Sequence, residues 1–325
     1  MWTQLDLGDM TQRDIIVIGA SAGGVEALRQ LVGGLPSTIR ASIFVVLHLP
    51  ASEKSRLPEI LAAAGRLPAA HAKDEEPIRP GRIYVAKPNL HMLLKHDRVK
   101  LWAGPKENYS RPAIDPLFRT AAETCGSRVI GVVLTGLLDD GSGGLIDIKK
   151  HGGIAVVQDP DDAPFSSMPE NALKRDHVDY CVRVSEMPGL LAALVSGARI
   201  ETSKEEIPMP DEAYSHTDLT CPECRGPLSE RSDGGLMEFR CRVGHVYSLE
   251  SAIAAHSDTE ERTLWSGVVA LEESASLLRK AAAHVRPDKA ERMIARADSA
   301  LEKARVIREM LEDLLARADT EPQKD

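Results

Sequence analysis

Short apolar runs alternate with longer amphipathic stretches over residues 14–195 of the chain. Four of these runs are rich in β-branched residues and show no strict alternation, which is typical of strands buried on both faces of a parallel sheet. They are Ile15–Ile18, Ile43–Leu47, Ile130–Leu134 and Ile154–Val157. The β-then-α order predicts an α/β domain with a doubly wound, mostly parallel sheet.

Two further patterns refine this domain. Apolar residues recur at helical spacing after the first run and stop at Gly33-Gly34, which predicts a helix that ends there. These residues are Val25, Leu28, Leu31 and Val32. The segments Gly81–Ala86 and Met92–Trp102 have the composition of additional strands, and we expect a hairpin among them.

The rest of the chain changes character several times. Residues 1–13 form a polar leader, and the polar, proline-containing stretch 196–218 predicts a linker. Residues 219–248 hold clustered cysteine and histidine, and residues 249–320 show helical periodicity. The apolar positions of the two expected helices are Leu264, Val268, Leu271 and Leu278, and Leu301, Ile307, Leu311 and Leu314. Because proline is favoured at the first position of a helix, we expect Pro287 to open the second helix of a hairpin.

Composition narrows the function classes. The 325 residues are 43% hydrophobic and carry a net charge of −9. This acidic balance argues against general nucleic-acid binding, which needs an excess of lysine and arginine. The sequence shows neither a signal peptide nor an apolar run of membrane-spanning length, so we expect a cytoplasmic protein without membrane insertion. Thiols stay reduced in the cytoplasm, so the clustering of three of the five cysteines indicates metal binding rather than disulfides.

The segment from Ile15 to Gly24 carries the most informative chemistry. It has the order strand, tight turn, helix, and Gly19 and Gly23 flank Ser21 in a G-x-S-x-G arrangement. Such a turn projects a hydroxyl beyond the end of the strand and places it at a helix N-terminus. Ser21 is therefore a candidate nucleophile. The same turn also fits a dinucleotide-binding domain, so this motif alone leaves a dinucleotide-dependent oxidoreductase open.

The ends of two other strands favour a hydrolase. A dinucleotide site needs an acidic residue near the end of the second strand to bind the ribose. Here that strand runs into His48, which is suited to act as a general base. The strand that ends at Leu134 leads into Asp139 and Asp140, and a carboxylate in this loop can orient an imidazole. Because parallel strands place their carboxyl ends at one edge of the sheet, we expect these groups to meet there.

A second kind of site is indicated between residues 219 and 248. Cys221 and Cys224 form a C-x-x-C knuckle, and Cys241 and His245 follow as a C-x-x-x-H pair. Paired spacing of this kind holds tetrahedral zinc. Because four protein ligands would close the site, we predict a structural zinc and no cofactor for catalysis. The acidic balance argues against a nucleic-acid role for this region. We expect protein binding instead, with the helical hairpin offering an apolar face.

Several segments together resemble the chemotaxis protein-glutamate methylesterases over about residues 14–195. The resemblance rests on Gly-Ala-Ser-Ala-Gly-Gly at 19–24, Leu-His-Leu-Pro at 47–50, Ser-Arg-Pro-Ala-Ile-Asp-Pro-Leu-Phe at 110–118, Leu-Thr-Gly-Leu-Leu-Asp-Asp-Gly at 134–141 and Ala-Pro-Phe-Ser-Ser-Met-Pro at 163–169. Several motifs in one order over one domain are more specific than any single motif.

The resemblance implies a catalytic triad and a substrate. The nucleophile and the base of the family map to Ser21 and His48. The acid directly before the glycine maps to Asp140, which selects it over Asp139. The implied substrate is a methylated glutamate on the cytoplasmic helical bundle of chemoreceptors, and deamidation of glutamine is a related activity.

Contacts to the substrate are expected from segments next to the triad. Backbone amides at Ala22 and in the Leu137 loop would stabilise an oxyanion. Residues 110–118 and the Met168 loop would line the substrate groove. Arg111 has two interpretations: it contacts an acidic receptor helix, or it merely solvates a loop. We give them equal weight, because exposed arginines are common.

The sequence departs from the family pattern at several positions. Ala22 stands where threonine is usual, and Leu137, Leu138 and Asp139 replace Met-Gly-Asn in the acid loop. These departures bear on the geometry of the oxyanion site and on the reaction rate, and they leave the triad residues unchanged. The residues before the first strand are too few for the receiver domain that family members typically carry. We therefore expect control by a separate regulatory or receiver protein, by the C-terminal region, or none. A catalytically silent signalling interaction module is the remaining alternative.

Other histidines and cysteines are assigned structural roles. His91 is a rival base, but its segment has an ordinary strand pattern. Cys125 and Cys181 lie in apolar contexts and are predicted to be packed thiols.

Overall fold

The computed structural model describes residues 13–48, 55–174, 178–197, 214–233 and 236–318. The chain divides into two compact units between Ala252 and Ile253. The sheet domain and the cysteine/histidine segment fall in the first unit, and the greater part of two long helices falls in the second. Of the predicted leader, only the last residue lies among those described.

Strands dominate the first unit. In chain order they are β1 (Ile15–Ala20), β2 (Ser42–Leu47), β3 (Ala69–His71), β4 (Arg82–Val85), β5 (His91–Lys95), β6 (Arg98–Trp102), β7 (Val129–Val133), β8 (Ile154–Gln158), β9 (Tyr180–Val182), β10 (Ser215–Thr220), β11 (Pro227–Asp233), β12 (Leu236–Cys241) and β13 (Val246–Ser248). Seven of them form one sheet in the order β3-β4-β2-β1-β7-β8-β9, and every neighbouring pair is parallel. The hairpin expected near Met92 is β5–β6, and β10 to β13 form a separate antiparallel sheet, called here the knuckle sheet.

Helices cover both faces of the parallel sheet. They are α1 (Gly24–Gly34), α2 (Leu57–Ala64), α3 (Ile114–Cys125), α4 (Ser142–Lys150), α5 (Ser167–Leu173) and α6 (Met187–Val195). One core cluster joins the sheet to α1, α2 and α6, and a second joins it to α3, α4 and α5. The predicted doubly wound, parallel α/β architecture is therefore confirmed.

Strand β1 explains why the sequence shows no alternation. All six of its residues are buried. Ile16 and Ile18 point into the first core cluster, whereas Ile15 and Val17 point into the second. Because successive side chains of a strand point to opposite faces, a sheet covered on both faces needs apolar residues at every position. Burying each such side chain stabilises the fold by about 1.5–3 kcal/mol.

Two details differ from the sequence-based expectation. Val25 is 40% exposed, because it lies in the first turn of α1 at the carboxyl edge of the sheet, and Ala27 completes the buried face instead. Residues Ser215–Thr220 form strand β10 although they overlap the predicted linker 196–218. Most side chains of β10 are exposed, so its polar composition resembles that of a linker.

The second unit contains the helical hairpin. Helix α7 (Leu249–Ala282) begins at the end of the first unit, and α8 (Pro287–Ala318) begins at the predicted proline. The two helices meet through apolar clusters around Val268, Ala304 and Leu311 and around Ala275, Ala297 and Ala300. Over the described ranges, the structure contains no helix that is long and apolar enough to span a membrane.

Gly153 provides a test of the packing beneath β8. An added Cβ would lie 2.8 Å from the carbonyl oxygen of Val129 and 3.0 Å from that of Ile148. Gly153→Ala should therefore destabilise the protein by about 1–3 kcal/mol. In Gly189→Ala, by contrast, the added methyl meets nothing within 4 Å inside α6, so stability should stay equal or rise by up to about 1 kcal/mol. Urea unfolding of the wild type and both variants measures these differences. Equal unfolding midpoints for Gly153→Ala and Gly189→Ala would contradict the close packing inferred at Gly153.

Candidate active site

Ser21 occupies the turn between β1 and α1. Gly23 precedes the helix with φ at 73°, a left-handed conformation that favours glycine. The N–H of Ser21 donates to the carbonyl of Thr135 at 3.0 Å, and the Thr135 hydroxyl donates to the carbonyl of Ala22 at 3.1 Å. These bonds fix the predicted G-x-S-x-G turn against the loop that follows β7.

His48 follows β2 and lies between a hydroxyl and a carboxylate. Its Nδ1 is 3.2 Å from Ser21 Oγ, and its Nε2 is 2.7 Å from Asp140 Oδ2. The imidazole is 17% exposed and the Asp140 carboxyl 3% exposed. The structure therefore brings together the three side chains that the sequence singled out as a triad.

The ring orientation of His48 determines which tautomer can act as a base. To accept the Ser21 proton at Nδ1, the neutral imidazole must carry its own proton on Nε2, where it donates to Asp140. In the familiar serine-protease arrangement the two nitrogens have the opposite roles. The chemistry is equivalent, because either ring nitrogen accepts a proton when the other is held by a carboxylate.

Asp140 is held as an anion by surrounding donors. Burial opposes its ionisation, but the hydrogen bond from His48 and further donors hold the pKa of Asp140 below its usual value. The backbone N–H of Ile114 donates to Oδ2 at 2.7 Å, and the N–H of Asp115 donates to Oδ1 at 3.1 Å. Both amides lie in the first turn of α3, where the helix dipole favours negative charge. The side chain of Asn108 donates to Oδ1 at 2.8 Å.

The N–H groups beside Ser21 are suited to an oxyanion. Among the residues with described positions, the backbone N–H groups of Ala22 and Gly23 have no hydrogen-bond acceptor. The opposite wall is the loop after β7, where an added Cβ at Gly136 would lie 2.8 Å from the Cβ of Ser21. This close approach places the backbone of Gly136, the residue before Leu137, next to the nucleophile.

The family model described as CheB methylesterase matches residues 16–191, which is more than half of the chain. The chain belongs to this family. The matched residues lie within the range, about 14–195, over which the sequence resembles this family. A solved structure, the CheB methylesterase catalytic domain of Thermotoga maritima, is 33% identical with a TM-score of 0.55, and the match covers 56% of this chain and 98% of that one.

Individual relatives differ in how much of their length is matched. A curated relative from Leptospira interrogans is 38% identical over 182 residues, which are 56% of this chain and 94% of the relative. A relative from Maricaulis maris named protein-glutamate methylesterase/protein-glutamine glutaminase is 33% identical over 57% of this chain and 47% of its own length. A relative from Methanosarcina mazei, named protein-glutamate methylesterase/protein-glutamine glutaminase 2, is also 33% identical. That match covers 56% of this chain and 52% of the relative. The chain thus spans about half the length of these two relatives.

Asp139, the neighbour of the catalytic candidate in this CheB-family domain, faces away from His48. Its Oδ1 accepts hydrogen bonds from the hydroxyls of Ser248 at 2.6 Å and Ser251 at 3.3 Å. Burial raises the pKa of Asp139 to about 7, with a further increase from the nearby Glu250 carboxyl. Spacing alone left the two acids equivalent, and the structure gives only Asp140 a contact with the imidazole.

Asn108 and Asp115 were not identified from the sequence as parts of this site. The Asn108 amide donates to Asp115 Oδ2 at 2.7 Å, and Asp115 Oδ1 accepts from the N–H groups of Gly141 at 3.0 Å and Gly144 at 2.7 Å. Burial and the nearby Asp140 charge raise the pKa of Asp115 well above its usual value. Asp115 was visible as part of the 110–118 motif, but nothing local in the sequence marked Asn108.

The side chains expected to line the groove have different positions. Met168 is fully buried beneath Gly136, so it supports the loop and does not line an open surface. The Arg111 guanidinium donates to Asn89 Oδ1 and to the carbonyl of Gly104, so it holds loops together. Leu137 is 48% exposed and Phe165 is 40% exposed.

His91 has the structural role that its sequence suggested. It is fully buried, its Nε2 donates to the carbonyl of Pro105 at 2.8 Å, and its Nδ1 accepts from the N–H of Ala113 at 3.3 Å. Burial lowers the pKa of His91. Cys125 is partly buried, but Cys181 is exposed and is not a packed thiol, because it lies on β9 at the edge of the sheet.

The knuckle sheet gathers the four predicted metal ligands. The four ligand atoms lie within 4.8 Å of one another; they are the Sγ atoms of Cys221, Cys224 and Cys241 and a ring nitrogen of His245. The Cys221 Sγ–His245 Nδ1 and Cys224 Sγ–Cys241 Sγ distances are both 3.6 Å, and Cys241 Sγ–His245 Nδ1 is 3.4 Å. The Tyr247 hydroxyl lies 3.5 Å from Cys221 Sγ. The arrangement is compact enough for one tetrahedral ion.

Asp139 should make the fold sensitive to pH near neutrality. Its raised pKa means that ionising Asp139 lowers the free energy of unfolding. The cause is burial together with the neighbouring carboxyls of Glu250, Asp140 and Asp115. The stabilising contribution is complete below the unfolded pKa near 4 and falls as the pH rises through about 7. Asp139→Asn cannot ionise, so at pH 8.5 it should be more stable than the wild type by up to about 4 kcal/mol, with a smaller gain at pH 5.5.

Urea unfolding at pH 5.5, 7 and 8.5 measures this difference. Asp97→Asn, which removes an exposed carboxyl from the β5–β6 turn, is the matched control and should follow the wild type. Parallel pH profiles for Asp139→Asn and the wild type would refute the assignment.

Proposed function

We propose that this chain is a protein-glutamate methylesterase, a serine hydrolase that removes methyl esters from glutamate side chains of chemoreceptor-type proteins. The observation that carries the proposal is the line of hydrogen bonds from Ser21 Oγ through His48 to Asp140, at 3.2 and 2.7 Å. Membership of the CheB methylesterase family and the names of the relatives support the same reaction.

The first half of the reaction makes an acyl-enzyme. Ser21 Oγ attacks the ester carbonyl carbon while His48 Nδ1 takes the hydroxyl proton. Asp140 stabilises the resulting imidazolium by accepting the hydrogen bond from its Nε2–H. The backbone N–H groups of Ala22 and Gly23 donate hydrogen bonds to the negatively charged carbonyl oxygen. The tetrahedral intermediate then collapses. The C–OCH₃ bond breaks, His48 returns its proton to the leaving oxygen, and methanol departs.

The second half regenerates the enzyme. Water attacks the acyl carbonyl as His48 takes one of its protons, and the bond to Ser21 Oγ breaks as that proton returns to the serine. The products are the unesterified glutamate side chain of the receptor and unchanged enzyme, and the steps use only the side chains and backbone amides of this chain and one water. With a glutamine amide as substrate the same steps release ammonia, in keeping with the second half of the relatives' names.

Neither alternative function has comparable support. A dinucleotide-dependent oxidoreductase needs an acidic residue at the end of β2, and His48 stands there in contact with Ser21. A silent interaction module does not account for a buried carboxylate, an imidazole and a hydroxyl in hydrogen-bonding order. The receptor substrate, a separate regulatory or receiver protein, and a cytoplasmic location stay predictions.

Replacing Ser21 tests the proposed nucleophile. Ser21→Ala should lower methanol release from methylated receptor bundles by at least about 10³-fold, because no other group replaces the attacking oxygen. Ser37→Ala, which removes an exposed serine hydroxyl after α1, is the control and should keep full activity. Unchanged circular dichroism would exclude misfolding. Wild-type turnover by Ser21→Ala would rule out this mechanism.

We also propose that Cys221, Cys224, Cys241 and His245 bind a structural zinc. Tetrahedral coordination with Zn–S bonds near 2.3 Å places neighbouring ligand atoms about 3.5–3.8 Å apart, and the distances of 3.4–3.6 Å between ligand atoms fit that geometry. The ion would supply a cross-link between the β10–β11 turn and the β12–β13 turn of the knuckle sheet. With four protein ligands no position remains for a substrate.

The zinc proposal is tested by metal content. The wild type should retain roughly one zinc per chain after dialysis against a weak chelator, whereas Cys224→Ser should lose most of it, since three ligands hold the ion less tightly. Cys181→Ser removes an exposed thiol elsewhere and should retain the metal. A wild-type protein without zinc, or a Cys224→Ser variant with full content, would disprove the site.

A further inference from the structure

The C-terminal end of the knuckle sheet contacts the loop that leads to α3. The N–H of Val246 donates to the carbonyl of Lys106 at 3.3 Å, and the N–H of Asn108 donates to the carbonyl of Val246 at 2.9 Å. Glu107 pairs with Val246 in a parallel bridge. Strand β13 is therefore attached to residues 106–108 through the backbone.

The Asn108 side chain continues this contact toward the triad. Its Oδ1 accepts from the N–H of Ser248 at 3.1 Å, and its Nδ2 donates to Asp140 Oδ1 at 2.8 Å and to Asp115 Oδ2 at 2.7 Å. The residue is 6% exposed, so the amide is removed from solvent with its oxygen and both amide hydrogens in use. The reverse orientation would place the amide oxygen against two carboxyls, so the contacts define one orientation.

The donors of Asp140 show what Asn108 contributes. The other donors are His48 itself and two backbone amides of α3. Within the described part of the chain, Asn108 is the donor to Asp140 that is itself bound by the knuckle sheet. Because the Asn108 bond and the α3 amides fix the rotation of the carboxyl group, they place Oδ2 where it meets the imidazole.

A second connection acts on the neighbouring acid. The hydroxyls of Ser248 and Ser251 donate to Asp139, which directly precedes Asp140 in the same loop. The segment Val246–Ser251 thus holds the acid loop at two adjacent residues. Lys106 and Glu223 add an ion pair at 2.7 Å between the α3 loop and the C-x-x-C turn.

We propose that Asn108 is a positioning residue of the esterase and that strand β13 of the knuckle sheet holds it in place, so that integrity of the cysteine/histidine module sets the activity of the triad. The inference rests on the proposed methylesterase function and adds to it a control element within the chain. Asn108 itself does not contact substrate in this account.

Asn108→Asp is the informative variant. Asn108 has φ at 46°, a left-handed conformation that aspartate also tolerates, so the backbone is preserved. The substitution replaces the donating NH₂ with an oxygen beside two carboxyls. Since a hydrogen bond to a charged group is lost, kcat for methanol release should fall about 10- to 100-fold. KM should stay within about twofold, because the side chain is buried away from substrate.

The role of the module is tested by combining variants. Cys224→Ser should also lower kcat with little change in KM, and the double variant Asn108→Asp/Cys224→Ser should be no slower than the slower single variant, because both changes act through one contact. Cys181→Ser should match the wild type. Multiplicative losses in the double variant would show that the module does not act through Asn108, and would overturn the inference.

A spectroscopic readout separates this inference from the proposed function. The proton between His48 Nε2 and Asp140 should give a low-field proton NMR signal in the wild type, and Asn108→Asp should shift or broaden it whether or not methanol is released. A wild type that releases no more methanol than Ser21→Ala would defeat the methylesterase proposal alone. Absence of the wild-type signal, or a signal unchanged by Asn108→Asp, would defeat the positioning role.

Discussion

The hydrogen bonding of the Asp140 carboxylate is the constraint on which the rest of the site depends. An isolated ionised carboxyl with almost no solvent contact costs several kcal/mol, so the fold must supply donors for it. Those donors are the imidazole of His48, the first amides of α3 and the amide of Asn108. His48 follows β2, whereas Asn108 and the α3 amides belong to one segment that begins before α3, so satisfying the Asp140 charge fixes both segments against the loop after β7.

The topology of the sheet explains why three distant residues converge. Ser21, His48 and Asp140 follow β1, β2 and β7, and these strands are direct neighbours in the order β2-β1-β7. Because all three run parallel, their carboxyl ends lie side by side, and the loops that leave them share one small region. Close packing then sets the distances, since Gly136 has no room for a side chain beside Ser21.

Much of this arrangement could be predicted from the sequence, for physical reasons. Strands buried on both faces must be apolar throughout, which made β1, β2, β7 and β8 visible as runs. The turn around Ser21 needs glycine at a left-handed position, which made the nucleophile visible. Strand β10 was mistaken for linker because its exposed side chains are polar, and Cys181 was judged buried because sequence does not reveal which strand forms a sheet edge.

The supporting contacts were less accessible to sequence reasoning. Asn108 binds Ser248 across 140 positions of the chain, and an asparagine in a loop has no pattern that indicates such a partner. Asp139 and Asp140 are adjacent and chemically alike, and only the family resemblance chose between them before the structure showed which one faces His48. Met168 lies within a recognisable motif, yet the motif does not reveal that its side chain is buried.

The most direct test of the central claim is the turnover of Asp140→Asn on a methylated receptor bundle. The amide keeps the shape of the carboxyl but cannot hold the Nε2–H tautomer or stabilise the imidazolium, so kcat should fall about 10³- to 10⁴-fold while circular dichroism stays unchanged. A folded Asp140→Asn protein with turnover within about threefold of the wild type would contradict the account, because the carboxylate would then have no part in activating Ser21.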